Sequence, residues 1–414
     1  MQNRMPIYLG DQAIEELNAF CQARNWASFF VVVDHNTYRA LGERAVQGLQ
    51  QAGWDVGLVN LDPRGLHSDS LAISHVLAAF DGAPRVFVAV GSGTITDLTR
   101  FISHRTGNPF VSLPTAASVD GYTSKNAPIT IGLLKGSIFC QAPEAIFADL
   151  PTINTAPRRL TASGFADLIG KYLSGADWKL THLIWGAPFD ESIYERTQAA
   201  ARNAAGTAEG LAAGDLAAMA TLMEQHFASG LCITDFIDSS PASGGEHHIA
   251  HVWEMLFHWQ EREGYMHGES VGLASIIEAG WYGRFREISK DEARDLLTRA
   301  RVPSREAQIA SLRRDLPVVA DELIQSDPIF LQMADPAIFA RVTEVILDQW
   351  EALQAVAARV PPPEELRSLM AQVGAPVSID ADILDDDQVR LGLDYGPYLR
   401  ERFSINNIRL LFGW

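Results

Sequence analysis

Four residues in this chain have the types and the spacing to hold a metal ion and do chemistry with it. His247 and His251 lie four apart in SGGEHHIAHVWEM, so on a helix they share one face. Asp167 stands in the apolar run GFADLIGKY, and His267 opens MHGESVG. Two imidazoles and one carboxylate leave coordination positions open, as a catalytic metal needs. A closed structural site would use thiolates, and Cys21, Cys140 and Cys232 are too scattered for that. Each residue also has an ordinary reading. A histidine pair at this spacing is commonly solvent-facing or part of a satisfied core, and His267 can be a helix-start residue. Asp167 is either on a solvent face or a buried carboxylate that requires a partner. His248 points a third of a turn away from the shared face and reads as structural.

A second group of residues has the character of a phosphate cradle. VFVAVGSGTITDLTRF runs from a strand-like segment into a helix-like one through Gly91, Ser92, Gly93, Thr94, Ile95, Thr96 and Asp97. Glycines at such a turn let the backbone approach a pyrophosphate, and the helix N-terminus offers free N–H groups and a positive dipole end. The spacing is not GxGxxG, and a Gly-Ser-Gly after a strand is as often only a tight turn. Downstream, Leu113–Ile129 (LPTAASVDGYTSKNAPI) is crowded with small and hydroxyl residues, among them Thr115, Ser118, Thr123 and Ser124. Loops at the carboxyl ends of parallel strands are where ligands bind, although surface loops are polar in any case. Asp34 follows the strand-like FFVVV, where a carboxylate either accepts from an adenosine ribose or caps a helix.

These groups need elements to position them. Apolar, β-branched runs at Phe29–Val33, Asp55–Leu61, Arg85–Val90, Phe110–Leu113 and Ala145–Ala148 alternate with amphipathic stretches such as Gln12–Arg24 and Arg39–Ala52. That alternation predicts a parallel α/β sheet. After Pro151 the chain turns Ala-rich in long helix-like stretches: Arg159–Trp178, Glu191–Phe227, Glu246–Glu261 and Ser270–Arg286. The expected fold class is therefore α/β plus all-α. A dinucleotide-binding domain spans 1–153, and a helical metal- and substrate-binding domain spans 154–414. The joint falls in the Pro/Thr/Asn-rich Pro151–Pro157. The acidic patch Asp380–Asp387 reads as a solvated face or loop.

The 414 residues carry a net charge of -18, which disfavours nucleic acid and anionic membrane as partners. An anionic substrate would then need local positive charge, from a cation or from helix N-termini. Lys125, Lys171, Arg158 and Arg159 are the side-chain candidates, each more often structural. Three dispersed cysteines, a start without an apolar h-region and no membrane-length apolar run lead to the expectation of a cytoplasmic protein.

Taken in order, GSGTITD, PTAASVDGYTS, AIFADL, GFADLIGKY, SGGEHHIAH and HGESVG resemble the iron-containing alcohol dehydrogenase and dehydroquinate synthase-like superfamily. Within it they are most similar to the bacterial sn-glycerol-1-phosphate dehydrogenases. The matched motifs cover about Asp34 to Glu269, and the last ~130 residues carry none. The resemblance implies that Gly91 to Asp97 hold the cofactor pyrophosphate. It places Thr115, Ala116, Ala117, Ser118 and Ser124 at the nicotinamide end, and Asp34 at the adenosine ribose. It places Asp167, His247 and His267 on the metal-ligand positions, and Asp120 and His251 on positions that face the substrate. It implies NAD or NADP and one divalent metal, zinc, nickel or iron, with a carboxylate at Asp34 favouring NAD. A homo-oligomer, dimer or larger, is implied as well. The expected reaction interconverts glycerone phosphate and sn-glycerol 1-phosphate. A glycerol dehydrogenase acting on an unphosphorylated polyol and a dehydroquinate synthase-like lyase are the alternatives.

Overall fold

The five strand-like runs and a sixth strand, Ile7–Gly10, form one parallel sheet, with side chains alternating between two helix-covered faces. The computed structural model describes residues 5–132, 134–236 and 238–414. Six strands, β1 (Ile7–Gly10), β2 (Ser28–Asp34), β3 (Asp55–Leu61), β4 (Val86–Gly91), β5 (Phe110–Pro114) and β8 (Ile146–Asp149), pair in the order β1-β8-β5-β4-β2-β3, all parallel. Phe29, Val31 and Val33 of β2, with Val88 and Val90 of β4, face the helices Ala13–Ala23 and Glu43–Gln51. Their neighbours Phe30, Val32, Phe87 and Ala89 face the helices Ser70–Ala79 and Gly93–Arg105. The period of two thus gives each central strand an apolar residue on both sides, the pattern of a sheet covered on both faces.

The strand order reverses between β2 and β4: the chain leaves β2 outward to β3 and returns on its other side to β4. Ligands of open α/β sheets bind at such a switch point, beyond the carboxyl ends of the strands. Asp34 ends β2 and Gly91 ends β4, each two residues past the paired Val32 and Ala89.

Four expectations need correction, the first being that Glu191–Phe227 is three helices, Glu191–Ala205, Ala208–Ala213 and Leu216–Phe236. The polar stretch Leu113–Ile129 is not all loop, because Asn126–Ile131 forms β6, paired antiparallel with β7 (Leu134–Phe139). Pro151–Pro157 is not a bare joint, because Leu150–Asn154 is a short helix capped by Asp149. Arg159–Trp178 is two helices, Arg158–Ile169 and Lys171–Trp185, that meet at Gly170.

The chain divides into two compact units, one of residues 1–168 with 206–234, the other of 169–205 with 235–414. The first holds the sheet and most of the helix Leu216–Phe236. The second is helical; Ile249, Trp253 and Phe257 of the helix Gly245–Trp259 pack with Leu273 and Ala274 of the helix His267–Glu287 and with Leu384. The acidic patch is largely exposed, and Asp385 caps the helix Asp386–Tyr395. Among the described residues no helix is long and apolar enough to cross a membrane.

Candidate functional site

In the first unit, β4 turns into the helix Gly93–Arg105 without room for side chains. A Cβ on Gly91 would lie 2.6 Å from Cβ of Ile95, and one on Gly93 would lie 3.0 Å from Cγ2 of Val119. Ser92 occupies the N-cap in extended conformation, but its hydroxyl makes no capping bond. The first-turn N–H groups are thus left to an outside acceptor. Thr96 adds a buried hydroxyl that makes no hydrogen bond. A glycine cradle, an uncapped helix start and an orphaned hydroxyl fit a nucleotide pyrophosphate. Ser92, Gly93 and Thr94 are partly accessible, while Ile95 is core. Asp97 serves the structure, since its Oδ1 accepts from Nη1 of Arg100 at 2.6 Å. Arg100 is wholly buried and also donates to the carbonyls of Asn126, Gly121 and Tyr122, tying this helix to the loop before β6.

Asp34 caps the short turn after β2. Its Oδ1 accepts from the backbone N–H groups of Asn36 and Thr37 at 2.7 and 2.9 Å. The capping reading is therefore real, and it holds the carboxylate in place at the switch point.

The loop after β5 is buried rather than a polar surface. Thr115 donates its N–H to the Gly91 carbonyl, and Ala116, Ala117 and Ser118 are buried. The hydroxyl of Tyr122 bonds the Ala116 carbonyl at 2.6 Å, and burial pushes its pKa up to about 12, so it stays a neutral donor. Ser124 receives the N–H of Asn126 at 2.9 Å. Asp120 accepts from Ser229 Oγ at 2.7 Å and gives its N–H to Oδ2 of Asp167 at 3.3 Å. Asp167 is fully buried, which removes the solvent-face reading. Gly164, one turn before it, is a requirement of packing: a Cβ there would lie 2.0 Å from the Ala117 carbonyl oxygen.

In the second unit, His247, His251 and His267 come together. Ring centroids are 6.0 Å apart for His247–His251, 5.2 Å for His247–His267 and 5.6 Å for His251–His267. Nδ1 of His247 meets Oε1 of Glu246 at 2.6 Å, and Nδ1 of His267 meets Oε1 of Glu254 at 2.7 Å. With the ring proton on Nδ1, facing the carboxylate, each imidazole is left with Nε2 as its metal-binding atom. This donor chemistry fits a divalent transition metal. Ligand atoms of His251, Glu254 and His267 also lie within 4.8 Å of one another. In that group, though, the Glu254 carboxylate is already engaged by His267, which makes it an orienting partner. His248 is buried away from the cluster, and burial, ahead of nearby positive charge, holds its pKa well below the usual imidazole range.

The sequence reading missed Glu246 and Glu254, although both stand inside the quoted motif. Carboxylates adjacent to and three residues beyond a histidine are common on any helix, so only the folded geometry marks them. Two of the basic candidates for an anion pocket are spent elsewhere. Lys171 Nζ donates to the Ala242 carbonyl at 2.9 Å, and Arg158 Nη2 to that of Ala212 at 2.6 Å.

A family model described as iron-containing alcohol dehydrogenase matches residues 8–157. A glycerol-1-phosphate dehydrogenase (NAD(P)+) of Halalkalibacterium halodurans is 36% identical over 291 residues, 70% of this chain and 71% of that protein. The enzyme of the same name from Bacillus subtilis is 35% identical over 323 residues, 77% of this chain and 80% of its own length. Among solved structures, an alcohol dehydrogenase from Oenococcus oeni superposes with a TM-score of 0.62 at 16% identity, covering 99% of this chain and 97% of that one. At that identity the likeness is one of fold.

Proposed function

Because the chain belongs to the glycerol-1-phosphate dehydrogenase family of iron-containing alcohol dehydrogenases, we propose that it interconverts glycerone phosphate and sn-glycerol 1-phosphate, using NAD or NADP and one divalent metal. The observation that carries this reading is the pair His247 and His267, each steadied at Nδ1 by its own carboxylate. The metal ligands are Asp167, His247 and His267. A bound zinc, nickel or iron would polarise the substrate carbonyl, and the nicotinamide would supply the hydride.

The chain's own residues do the rest. The turn from Gly91 to Asp97 receives the pyrophosphate on the free N–H groups of its first helical turn, Asp34 accepts from the adenosine ribose, and Thr115 to Ser118 with Ser124 border the nicotinamide. Asp120, held by Ser229, orients the substrate. His251, one helical turn from His247, relays the proton to or from the substrate oxygen. The nucleotide-binding function resides in 1–153, and metal and substrate binding in 154–414. Three buried free thiols suit a reducing compartment, the cytoplasm. Assembly as a dimer or larger follows from the family resemblance, and light scattering tests it.

The deciding experiment strips the protein with chelator, restores zinc, nickel or iron singly, and follows NADH and NADPH oxidation. Glycerone phosphate and dihydroxyacetone are offered in parallel. Metal-restored turnover of the phosphate alone is the expected result. Turnover of dihydroxyacetone alone would move the protein to glycerol dehydrogenase chemistry.

A further inference from the structure

Behind His247 lies a group of three carboxylates, of which the reaction above uses only Glu246. Asp177, Glu246 and Glu278 are all buried, and ligand oxygens from the three lie within 4.8 Å of one another. Gly245 makes the approach possible, since a Cβ there would stand 2.2 Å from Oε1 of Glu278 and 3.0 Å from Oδ2 of Asp177. Three negative charges cannot share such a volume without protons or a cation.

The hydrogen bonds say which group carries a proton. Asp177 is surrounded by donors: the hydroxyl of Tyr282 at 2.6 Å and the N–H of Ile405 at 2.9 Å on Oδ1, and the N–H of Gly245 at 2.8 Å on Oδ2. Those donors favour its ionised form, while burial and the Glu246 charge push its pKa up to about 7 against them. Oε1 of Glu246 accepts from Gly244 N–H at 3.0 Å and meets Nδ1 of His247. Oε2 of Glu246 and both oxygens of Glu278 make no hydrogen bond. Burial, then the charges of Asp177 and Glu246, hold Glu278 well above the usual carboxylate range.

Buried acceptors without donors are rare and expensive, and one proton between Glu278 and Glu246 pairs two of these three oxygens. We propose that Glu278 is a neutral acid that donates to Oε2 of Glu246, so that the line Glu278–Glu246–His247 fixes the orientation of the metal-ligating imidazole. Glu278 is thus a positioning residue, one residue further from the metal than the carboxylate that touches the ring. The metal half of this inference rests on His247 being a ligand, as proposed above. The protonation half does not.

Two measurements test it. Infrared difference spectra between wild type and Glu278→Gln should contain the C=O stretch of one protonated carboxylic acid, lost in the variant; a carboxylate band lost instead would overturn the proposal. Zinc affinity of the stripped protein is then read by competition with a chromophoric chelator. Glu278→Gln, whose amide can still donate to Glu246, should bind zinc close to wild type. Glu278→Leu should bind about 10–100-fold more weakly, the range of orienting carboxylates. Equal losses in both variants would mean that the cluster needs the charge of Glu278, as a cation site does, and would sink the idea; so would wild-type affinity in Glu278→Leu. If Glu278→Leu does not fold, the infrared band and the Glu278→Gln affinity still decide. Wild-type protein that binds no zinc, nickel or iron would refute the metal reading and leave the infrared result to judge the proton.

Discussion

One helical turn separates His247 from His251, and their rings stand nearly perpendicular, 84° between planes at a centroid distance of 6.0 Å. The first is tethered at Nδ1 by Glu246, while the second lies stacked, at 24°, on His267. In the proposed reaction these edge-on neighbours divide the work, His247 as a ligand and His251 as the proton relay. His251→Ala is expected to lower kcat by about 10²–10⁴-fold, the usual share of a general acid–base group. Metal content by atomic absorption should remain near one per chain. A variant that loses its metal would make His251 a ligand and end the relay assignment.

Asp167→Ala and His247→Ala should each abolish metal binding and nearly all turnover. Asp167 is buried without exposure to water, so a substitution there acts on the site rather than on a solvated surface. A metal-replete, active Asp167→Ala enzyme would contradict the ligand set. Far-ultraviolet circular dichroism of each variant separates loss of ligand from loss of fold.

Asp34 provides a cleaner test of nucleotide choice than its position alone suggests. Its Oδ1 caps the turn after β2, and asparagine is as good a cap as aspartate. Asp34→Asn thus removes the charge while keeping the local structure. The ratio of kcat/KM for NADPH over NADH should rise about tenfold, equivalent to about 1.4 kcal/mol. An unchanged ratio would place the ribose elsewhere.

Gly91→Ala should damage the phosphate turn. The added methyl would meet Ile95 at 2.6 Å, with the sheet on one side and the helix start on the other. Overpacking of this kind costs about 1–3 kcal/mol. Urea unfolding should show that loss, and a fluorescence titration should show weaker NADH binding. Wild-type behaviour in both would mean that the turn has slack and that the glycine is not there for close approach.

How much of this was legible beforehand depended on the kind of signal. FFVVV and VFVAV announced themselves because the central positions of a strand covered on both faces must be apolar, as Phe29–Val33 of β2 and Val86–Val90 of β4 are. β1 is four residues long with a largely accessible side-chain row, and β6 contains Pro128 and Thr130. β1, although apolar, is too short to stand out as an element, and β6, broken by polar residues and a proline, reads as loop. In the site, His247 and His267 were visible through their types and order. Their carboxylate partners were not, because whether Glu254 turns toward His267 is decided by two helices packing together. Asp177 and Glu278 stand far apart in the chain, on different helices, and no local pattern joins them.

The first compact unit draws on residues 206–234 as well as 1–168. The returning segment is bonded into the loop after β5: Thr123 Oγ1 to the Phe227 carbonyl at 3.0 Å, Thr234 Oγ1 to the Thr123 carbonyl at 3.0 Å, and Ser229 to Asp120. A growing chain that has released only the sheet therefore still lacks the helix that secures Asp120 and Thr123. During synthesis the first unit must wait for Thr234 to leave the ribosome before that loop can lock. Over the intervening interval, that loop lacks the bonds that Phe227, Ser229 and Thr234 supply. Expression fragments that end after the last strand of the sheet inherit the same exposed loop permanently, and those that run through Thr234 do not.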